Sequence, residues 1–321
     1  MKAIRIHAYG GPEVLAYEDA PLPEPGTDEA RVKLAAIGIN FIDVYHRTGL
    51  YPSAFPFTPG MEGAGTIDAL GPGETKFRTG DRVAYAMVKG AYADYAIVPF
   101  DKLVALPHNV DFRLGAAVML QGMTAHYLAY STYPIQKGDA VLLHAAGGGV
   151  GLLLTQVAKR LGATVYGTAS TEEKSRLAKE AGADEVILYS EVDFEQEVKR
   201  LTAGQGVHVV YDSVGQATFE RSLRCLKPRG YLVLFGQSSG MVAPISPSIL
   251  AKGSLYLSRP MLGDYIQDAS ELEWRARDVF TWLADGSLTV QIGGEYPLSQ
   301  AAEAHRQLES RIRIGKLLLI P

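Results

Sequence analysis

The fold of this chain is decided by the stretch AVLLHAAGGGVG, which occupies residues 140–151. An apolar run leads into a glycine-rich turn, and a helical pattern follows over 150–161. The turn places Ala146, Gly148 and Gly151 at the three small-residue positions of a dinucleotide-binding fingerprint, with alanine replacing the usual first glycine. The middle glycine lets the backbone approach a pyrophosphate, the last lets helix and strand pack closely, and the helix start supplies amides and partial positive charge. A purely structural glycine turn is the alternative. The predicted cofactor-binding loop comprises Ala146, Gly147, Gly148, Gly149, Val150 and Gly151.

The same rhythm of strand and helix continues after this stretch. Further strands are predicted over 164–166, 185–188, 207–211 and 231–235, with helical segments between them. Alternation of this kind implies right-handed crossovers and a parallel sheet covered on both faces. We therefore predict a doubly wound, Rossmann-type domain, which makes the fold class α/β.

The N-terminal part of the chain has a different pattern, dense in Gly and Pro with short alternating runs such as 30–34 and 82–86, which predicts a mostly β domain. Beyond residue 265, a helical pattern over 271–285 and a short strand over 316–320 no longer follow the βαβ rhythm. We expect them to return to the first domain. The predicted domains are residues 1–124 with 266–321, mostly β and catalytic, and residues 125–265, which bind the dinucleotide.

Composition excludes several classes of protein. A net charge of −4 gives no overall attraction for nucleic acid, which argues against a nucleic-acid partner. The single cysteine, Cys225, excludes an internal disulfide framework and a multi-thiolate zinc site, and fits a reducing, cytoplasmic setting. An alternating N-terminus without a long apolar run predicts neither a signal peptide nor a membrane span.

The end of the second predicted strand indicates which dinucleotide binds. NAD-selective folds place an acidic residue there, on the ribose 2′-hydroxyl. Here residues 167–170 read GTAS, without an acid, and Lys174 follows within a helical turn. Lys174 and Ser170 are suitable partners for a 2′-phosphate, although Glu172 and Glu173 weaken the local positive field. The sequence therefore favours NADPH, while a solvated helix lysine is the alternative interpretation of Lys174.

Ordered segments along nearly the whole chain resemble the zinc-free quinone oxidoreductases of the medium-chain dehydrogenase/reductase superfamily, related to zeta-crystallin. The segments that carry the resemblance are 11–15, 38–43, 49–52, 59–65, 80–83, 121–125, 144–151, 211–215 and 308–311. The resemblance implies a GroES-like catalytic domain, a Rossmann domain and a cleft between them that binds a quinone. It also implies a homodimer joined through the edge strands of the Rossmann sheets, with the edge strand over 253–257.

The same resemblance assigns site residues. Asn40, Tyr45 and Tyr51 are expected near the nicotinamide, as the candidate catalytic residues. Lys174 and Tyr189 are expected near the adenosine 2′-phosphate. The other expected cofactor contacts are Thr124, Ser170, Ser213, Phe235, Gly236, Gln237, Ser238, Arg259 and Arg311.

No metal is expected in this site. Zinc-dependent relatives place a Cys and a His where this chain has Asn40 and Met61, neither of which is a competent zinc ligand. The seven histidines show no paired spacing of the HExxH kind and are interpreted as packed or surface residues. Without a Lewis acid, an alkoxide lacks its usual stabilisation, whereas a conjugated carbonyl delocalises the charge that hydride attack creates. We therefore predict metal-free hydride transfer from NADPH to a quinone, with the proton supplied by water or a tyrosine.

Two alternatives share these motifs. One is an enoyl or alkenal double-bond reductase of the same superfamily, which differs only in the shape of its substrate pocket. The other is a non-catalytic NADPH-binding protein, including one that binds RNA, against which the acidic pI near 6.0 argues.

Overall fold

A computed structural model describes residues 1–310 and 314–321. They divide into two compact units, Met1–Met123 with Ile266–Pro321, and Thr124–Tyr265. In the described residues the strands are β1 (Lys2–Arg5), β2 (Ala16–Asp19), β3 (Glu29–Gly38), β4 (Glu62–Leu70), β5 (Arg82–Ala86), β6 (Tyr95–Pro99), β7 (Val104–Ala105), β8 (Ala140–Leu143), β9 (Thr164–Ala169), β10 (Glu185–Leu188), β11 (Val207–Asp212), β12 (Leu226–Leu234), β13 (Tyr256–Ser258), β14 (Ile292–Pro297) and β15 (Lys316–Ile320).

The α-helices of the same residues complete the element list. They are α1 (Phe41–Arg47), α2 (Phe112–Tyr127), α3 (Gly149–Arg160), α4 (Glu172–Glu180), α5 (Phe194–Leu201), α6 (Phe219–Arg224), α7 (Ala269–Ala284) and α8 (Ala301–Ser310). In the described part of the chain, no helix combines the length and apolar character needed to cross a membrane.

The first unit is built on a sheet with the order β14-β15-β3-β4-β5-β7, and β6 also pairs with β3. Most neighbours are antiparallel, but β14 and β15 are parallel. Burial alternates along the first part of β3, as expected for a strand with one face on the core. The core includes Val32, Ile37, Val83 and Leu319. Because β15 and β4 flank β3, residues at the ends of these three strands lie close together although they are far apart in sequence.

The second unit has a six-stranded sheet in the order β10-β9-β8-β11-β12-β13, and every neighbouring pair is parallel. In order along this part of the chain, the strands run 3-2-1-4-5-6, which is the Rossmann arrangement. Leu142, Val210 and Leu232 of the central strands pack in a core with Phe194 and Val198 of α5. The carboxyl ends of all six strands therefore meet at one edge, where α/β sheets bind ligands.

Most predicted elements are confirmed, but the edge strand predicted over 253–257 is wrong in its position. β13 spans Tyr256–Ser258 instead. Gly253 and Ser254 have φ of 94° and 52°, in the left-handed region, so they turn the chain before the strand begins. The sequence shows five residues compatible with a strand but not the backbone turn among them.

Candidate functional site

The loop between β8 and α3 has the geometry of a phosphate-binding turn. Ala145 has φ of 53° and turns the chain just after β8. α3 then begins at Gly149, and its N-cap, Gly148, has no side chain that could accept hydrogen bonds from the first-turn amides. The sequence of that turn contains no acidic residue, so the partial positive charge at the helix start is not neutralised by its own side chains.

Two glycines of this loop are needed for different reasons. A Cβ on Gly151 would lie 2.3 Å from the carbonyl oxygen of Ala145 and 2.7 Å from that of Ala146, which forbids any side chain without movement of the loop. A Cβ on Gly148 would contact the carbonyl oxygen of Ala145 at 3.1 Å, its one neighbour within 4 Å among the described residues. Gly151 therefore allows close packing, whereas Gly148 leaves one side of the loop open. This geometry fits the pyrophosphate of a dinucleotide.

A hydroxyl group and a cation lie together just after the end of β9. The Nζ of Lys174, in the first turn of α4, lies 3.5 Å from the Oγ of Ser170. Tyr189 directly follows β10, whose last residue pairs with Ala169 at the end of β9, and its side chain is half exposed. A Cβ on Gly147 would lie 2.7 Å from the Cβ of Lys174, so the glycine loop approaches α4 closely. The ammonium of Lys174 and the hydroxyl of Ser170 beside this loop form a suitable environment for a second phosphate.

The loops that follow β11 and β12 pack against each other at the same edge of the sheet. The amide of Phe235 donates to the carbonyl oxygen of Asp212 at 2.9 Å. A Cβ on Gly236 would lie 2.7 Å from the carbonyl oxygen of Ser213, so only glycine allows this approach. Gln237 follows in the same loop. Five predicted cofactor residues are thus held in one pair of loops, namely Ser213, Phe235, Gly236, Gln237 and Ser238.

Of the remaining predicted cofactor residues, Arg259 lies at the same edge of the sheet, whereas Thr124 lies in a helix. Arg259 directly follows β13 and donates from Nη1 to the carbonyl oxygen of Pro260 at 3.5 Å. Thr124 is buried in the last part of α2. Arg311 lies outside the described residues.

His144, interpreted from the sequence as a packed histidine, joins a buried hydrogen-bond network that fixes this edge of the sheet. Its Nδ1 lies 3.1 Å from the Oγ1 of Thr168, and its Nε2 lies 2.9 Å from the Oγ of Ser222. Ser222 in turn donates to Asp212 at 3.1 Å. Burial lowers the pKa of His144, which keeps the ring neutral. A Ser, a His and an Asp in contact can form a catalytic triad with a serine nucleophile. These groups are inaccessible, so the network has a structural role and connects β8, β9 and β11.

The first unit carries a different kind of polar site, centred on Asn40. Asn40 follows β3, Glu62 is the first residue of β4, and Lys316 is the first residue of β15. The Nζ of Lys316 donates to Asn40 Oδ1 and to Glu62 Oε2, each at 2.6 Å. All three residues are at most 3% exposed. A charged pair at this depth requires close pairing and hydrogen bonds, and both are present.

A second buried chain of hydrogen bonds connects α1 with α8. Asp43 accepts from the hydroxyl of Tyr92 at 3.0 Å, and Tyr92 lies 3.0 Å from Nε2 of His305. Arg47 donates to Nδ1 of His305 at 2.9 Å and to both carboxylate oxygens of Glu309. Because arginine only donates, Nδ1 accepts and the ring proton lies on Nε2, facing Tyr92. Burial, with the charge of Arg47, lowers the pKa of His305 to about 3, so the ring is neutral.

Tyr45 and Tyr51, the two other candidate catalytic residues, contact each other. Their ring centroids lie 5.5 Å apart in an edge-to-face arrangement. The amide of Tyr51 donates to the carbonyl oxygen of Tyr45 at 3.0 Å, so the turn after α1 holds the pair. Both side chains are partly buried. The arrangement presents an aromatic surface with two hydroxyls, which is suited to a planar acceptor.

The residues around Asn40 do not fit a zinc ion. The two positions that hold a Cys and a His in zinc-dependent relatives are here an amide and a thioether, Asn40 and Met61. The ammonium of Lys316 lies 2.6 Å from the amide oxygen of Asn40 and would repel a metal cation there. Across residues 1–310 and 314–321, no group of three His, Cys, Asp or Glu side chains is placed to hold a metal.

Comparison with known proteins identifies the family. The family described as "Alcohol dehydrogenase GroES-like domain" matches residues 26–108, and the family described as "Zinc-binding dehydrogenase" matches residues 149–276. The chain is 47% identical to a quinone oxidoreductase of Pseudomonas aeruginosa, over 100% of this chain and 99% of that protein. This chain belongs to the zinc-free quinone oxidoreductases of the medium-chain dehydrogenase/reductase superfamily. The match to a zinc-binding family description extends to the fold but not to the metal ligands.

Two further relatives show the range of this family. The structure of Escherichia coli quinone oxidoreductase complexed with NADPH superimposes with a TM-score of 0.98 at 44% identity, over 100% of both chains. A 2-haloacrylate reductase of a Burkholderia species is 39% identical over 98% of both proteins. The predicted fold class, family and enzyme class are confirmed.

The structure gathers most of the predicted cofactor residues at one edge of the Rossmann sheet. These are Ala146, Gly147, Gly148, Gly149, Val150, Gly151, Ser170, Lys174, Tyr189, Ser213, Phe235, Gly236, Gln237 and Arg259. Asn40, Tyr45 and Tyr51 belong to the other unit, and their predicted contact with a nicotinamide stays a prediction. Sequence reasoning missed the contacts of Glu62 and Lys316 with Asn40. Lys316 was visible only as the start of a predicted strand, and Glu62 only as part of the segment 59–65 that carries the family resemblance.

Proposed function

We propose that this chain is an NADPH-dependent quinone oxidoreductase that works without a metal ion. Residues 125–265 would bind the cofactor, and residues 1–124 with 266–321 would supply the catalytic side chains. The observation that carries the proposal is full-length similarity to quinone oxidoreductases, one of them solved with NADPH, combined with a glycine loop whose geometry fits a dinucleotide.

The chain's own residues account for cofactor binding. The first-turn amides of α3 can donate to a pyrophosphate that approaches over Gly148. Lys174 and Ser170 can bind a 2′-phosphate, and the stretch of β9 that ends beside them carries no carboxylate to repel it. NADPH, when bound, supplies a hydride. We therefore expect a preference for NADPH over NADH that depends on Lys174.

The choice of acceptor follows from the charges available. Among the described residues, the side chains around Asn40 offer no site for a metal that would stabilise an alkoxide, so an acceptor that delocalises its own negative charge is favoured. Tyr45 and Tyr51 can form an aromatic wall for a planar quinone, and their hydroxyls or water can deliver the proton.

The same proposal includes a homodimer located in the cytoplasm. β13 is the last strand of its sheet in the described residues, and the half-exposed Tyr256 on it and the exposed Met241 are suited to an interface. Cys225 is a free, buried thiol, in keeping with a reducing compartment.

Steady-state oxidation of NADPH tests the proposed function. The purified chain is offered 1,4-benzoquinone, crotonyl thioester, a 2-alkenal and 2-chloroacrylate in parallel, with and without a chelator. We expect the largest kcat/KM with the quinone and no effect of the chelator. Negligible quinone turnover beside rapid reduction of a carbon–carbon double bond would identify a double-bond reductase instead. Loss of turnover on chelation would contradict the metal-free mechanism.

A further inference from the structure

We propose that Lys316 and Glu62 are positioning residues that fix the orientation of the Asn40 carboxamide for hydride transfer. The inference rests on the proposed function, because Asn40 is the residue of this trio expected at the nicotinamide. It assigns a reaction-linked role to a cation and an anion that do not themselves contact substrate or cofactor.

The contacts of Asn40 use all of its side-chain hydrogen-bonding capacity. Its Oδ1 accepts from Lys316 Nζ at 2.6 Å and from Gln121 Nε2 at 3.4 Å. Its Nδ2 donates to Glu62 Oε2 at 2.8 Å and to the carbonyl oxygen of Gly38 at 3.3 Å. An amide side chain offers two acceptor sites and two donors, so each of the four has a partner. The carboxamide of Asn40 is therefore held in one orientation. A direct hydrogen bond from it to a ligand would have to replace one of these contacts.

The two charges determine which end of the amide faces which way. The oxygen of Asn40 faces the ammonium of Lys316, and the NH2 group faces the carboxylate of Glu62. A flip of the amide would bring its NH2 group against the ammonium and its oxygen against the carboxylate, and both contacts are repulsive. At burial this deep, electrostatic preferences are stronger than in water, so one orientation is selected.

Lys316 and Glu62 are themselves held firmly. The second carboxylate oxygen of Glu62 accepts from the amide of Leu120 at 2.6 Å, in α2. Lys316 begins β15, which pairs with β3 next to Gly38. The side chains of Lys316 and Glu62 are 1% and 0% exposed, so water does not screen the pair. The register of three adjacent strands thus sets the position of Asn40.

Removal of the cation tests the inference. Lys316→Met keeps the apolar length of the side chain and removes its charge, and Lys316→Met with Glu62→Gln also removes the unpaired carboxylate. For both the single and the double variant we expect kcat per NADPH-binding site to fall about ten- to one hundred-fold, because misplacement of a reacting group slows a reaction to this extent. The Kd of NADPH should be unchanged, because the phosphates bind to the other unit. The double variant guards against a single variant that fails to fold.

A double-mutant cycle with Asn40→Ala separates positioning from a merely structural role. If Lys316 acts through Asn40, the Lys316→Met substitution should have no further effect on kcat once Asn40 is alanine. An equal loss of kcat in both backgrounds would overturn the inference. If the parent is active and the Lys316→Met variant has the same kcat, the inference is also overturned.

A spectroscopic measurement keeps the inference separate from the proposed function. The side-chain amide resonances of Asn40, identified by their loss in Asn40→Ala, should shift when Lys316 becomes Met, with or without turnover. A parent without quinone activity would refute the proposed function while a clear shift would still support the positioning role. Unchanged resonances would overturn the positioning role whatever the activity.

Discussion

The cofactor-binding edge of the Rossmann unit and the buried cluster around Asn40 are built in opposite ways. The first is assembled mainly from residues close in sequence, with a loop, a helix start and a lysine reached within 30 residues, and backbone groups predominate. The second is assembled from side chains as far as 276 residues apart, and charge predominates. In a site of backbone groups, substitutions that change charge should have little effect, whereas substitutions that add volume should disturb the site. A site of buried charges should respond most strongly to loss of a partner.

The largest effect is expected from Glu62→Gln, which leaves the ammonium of Lys316 buried without its counter-ion. We expect the free energy of unfolding to fall by about 3–5 kcal/mol, as measured by denaturant titration. Glu62→Gln combined with Lys316→Met should recover most of that loss, because no unpaired charge remains. Equal stability of the single and double variants would show that the charge pairing does not control stability here.

A pH dependence is expected from Asp43, in the same unit. Burial raises the pKa of Asp43 to about 7, against an ordinary value of 3.8. Since the folded-state pKa is the higher one, the stability contributed by the protonated carboxyl is present below pH 3.8 and is lost as the pH rises to about 7. Asp43→Asn cannot ionise, so its stability relative to the parent should improve across this window. Asp101→Asn, which removes a carboxyl group at an exposed site, is the matched control and should change the free energy of unfolding little.

In the cofactor loop, added volume should separate stability from binding. Gly151→Ala places a methyl group against two carbonyl oxygens and should reduce the free energy of unfolding by about 1–3 kcal/mol. Gly148→Ala has one tight neighbour and should cost less stability while weakening NADPH binding in a fluorescence titration. A larger loss of stability in Gly148→Ala, with weaker NADPH binding in Gly151→Ala, would contradict the roles assigned to the two glycines.

An effect on cofactor binding alone is expected from Lys174→Ala, which removes one charged contact from the predicted 2′-phosphate site. Binding of NADPH should weaken by about 1–3 kcal/mol, and binding of NADH should be nearly unaffected. Lys179→Ala, in the last turn of the same helix, controls for the general loss of positive charge. Equal losses for both nucleotides would contradict the assigned role of Lys174.

The contrast between a site of neighbouring residues and a site of distant side chains also explains which features the sequence could predict. The glycine loop, the strands of the Rossmann sheet and the absence of an acid from residues 167–170 at the end of β9 are local features, and local patterns predicted them. The position of β13 was mispredicted because the family resemblance implied an edge strand over 253–257 but not the left-handed backbone at Gly253 and Ser254 that turns the chain before the strand begins.

The charged cluster could not be predicted from local patterns. Lys316 was visible only as the start of a predicted strand, and Glu62 only as part of a family motif. Their contact depends on β15 lying beside β3 and on β4 lying on its other side. Asn40 was expected to orient the nicotinamide, but the sequence could not show that four protein groups already occupy its carboxamide.

The pairing of β15 with β3 also bears on how the chain folds during synthesis. β3 leaves the ribosome early, whereas its partner is made only after all of residues 124–265. The second unit is contiguous in sequence and can complete its sheet first, since domains generally fold as units when their residues become available. The interrupted unit must wait with an incomplete sheet and an unneutralised Glu62. Nascent chains arrested just before residue 316 should therefore protect the dinucleotide-binding unit from protease while leaving the other unit open to cleavage.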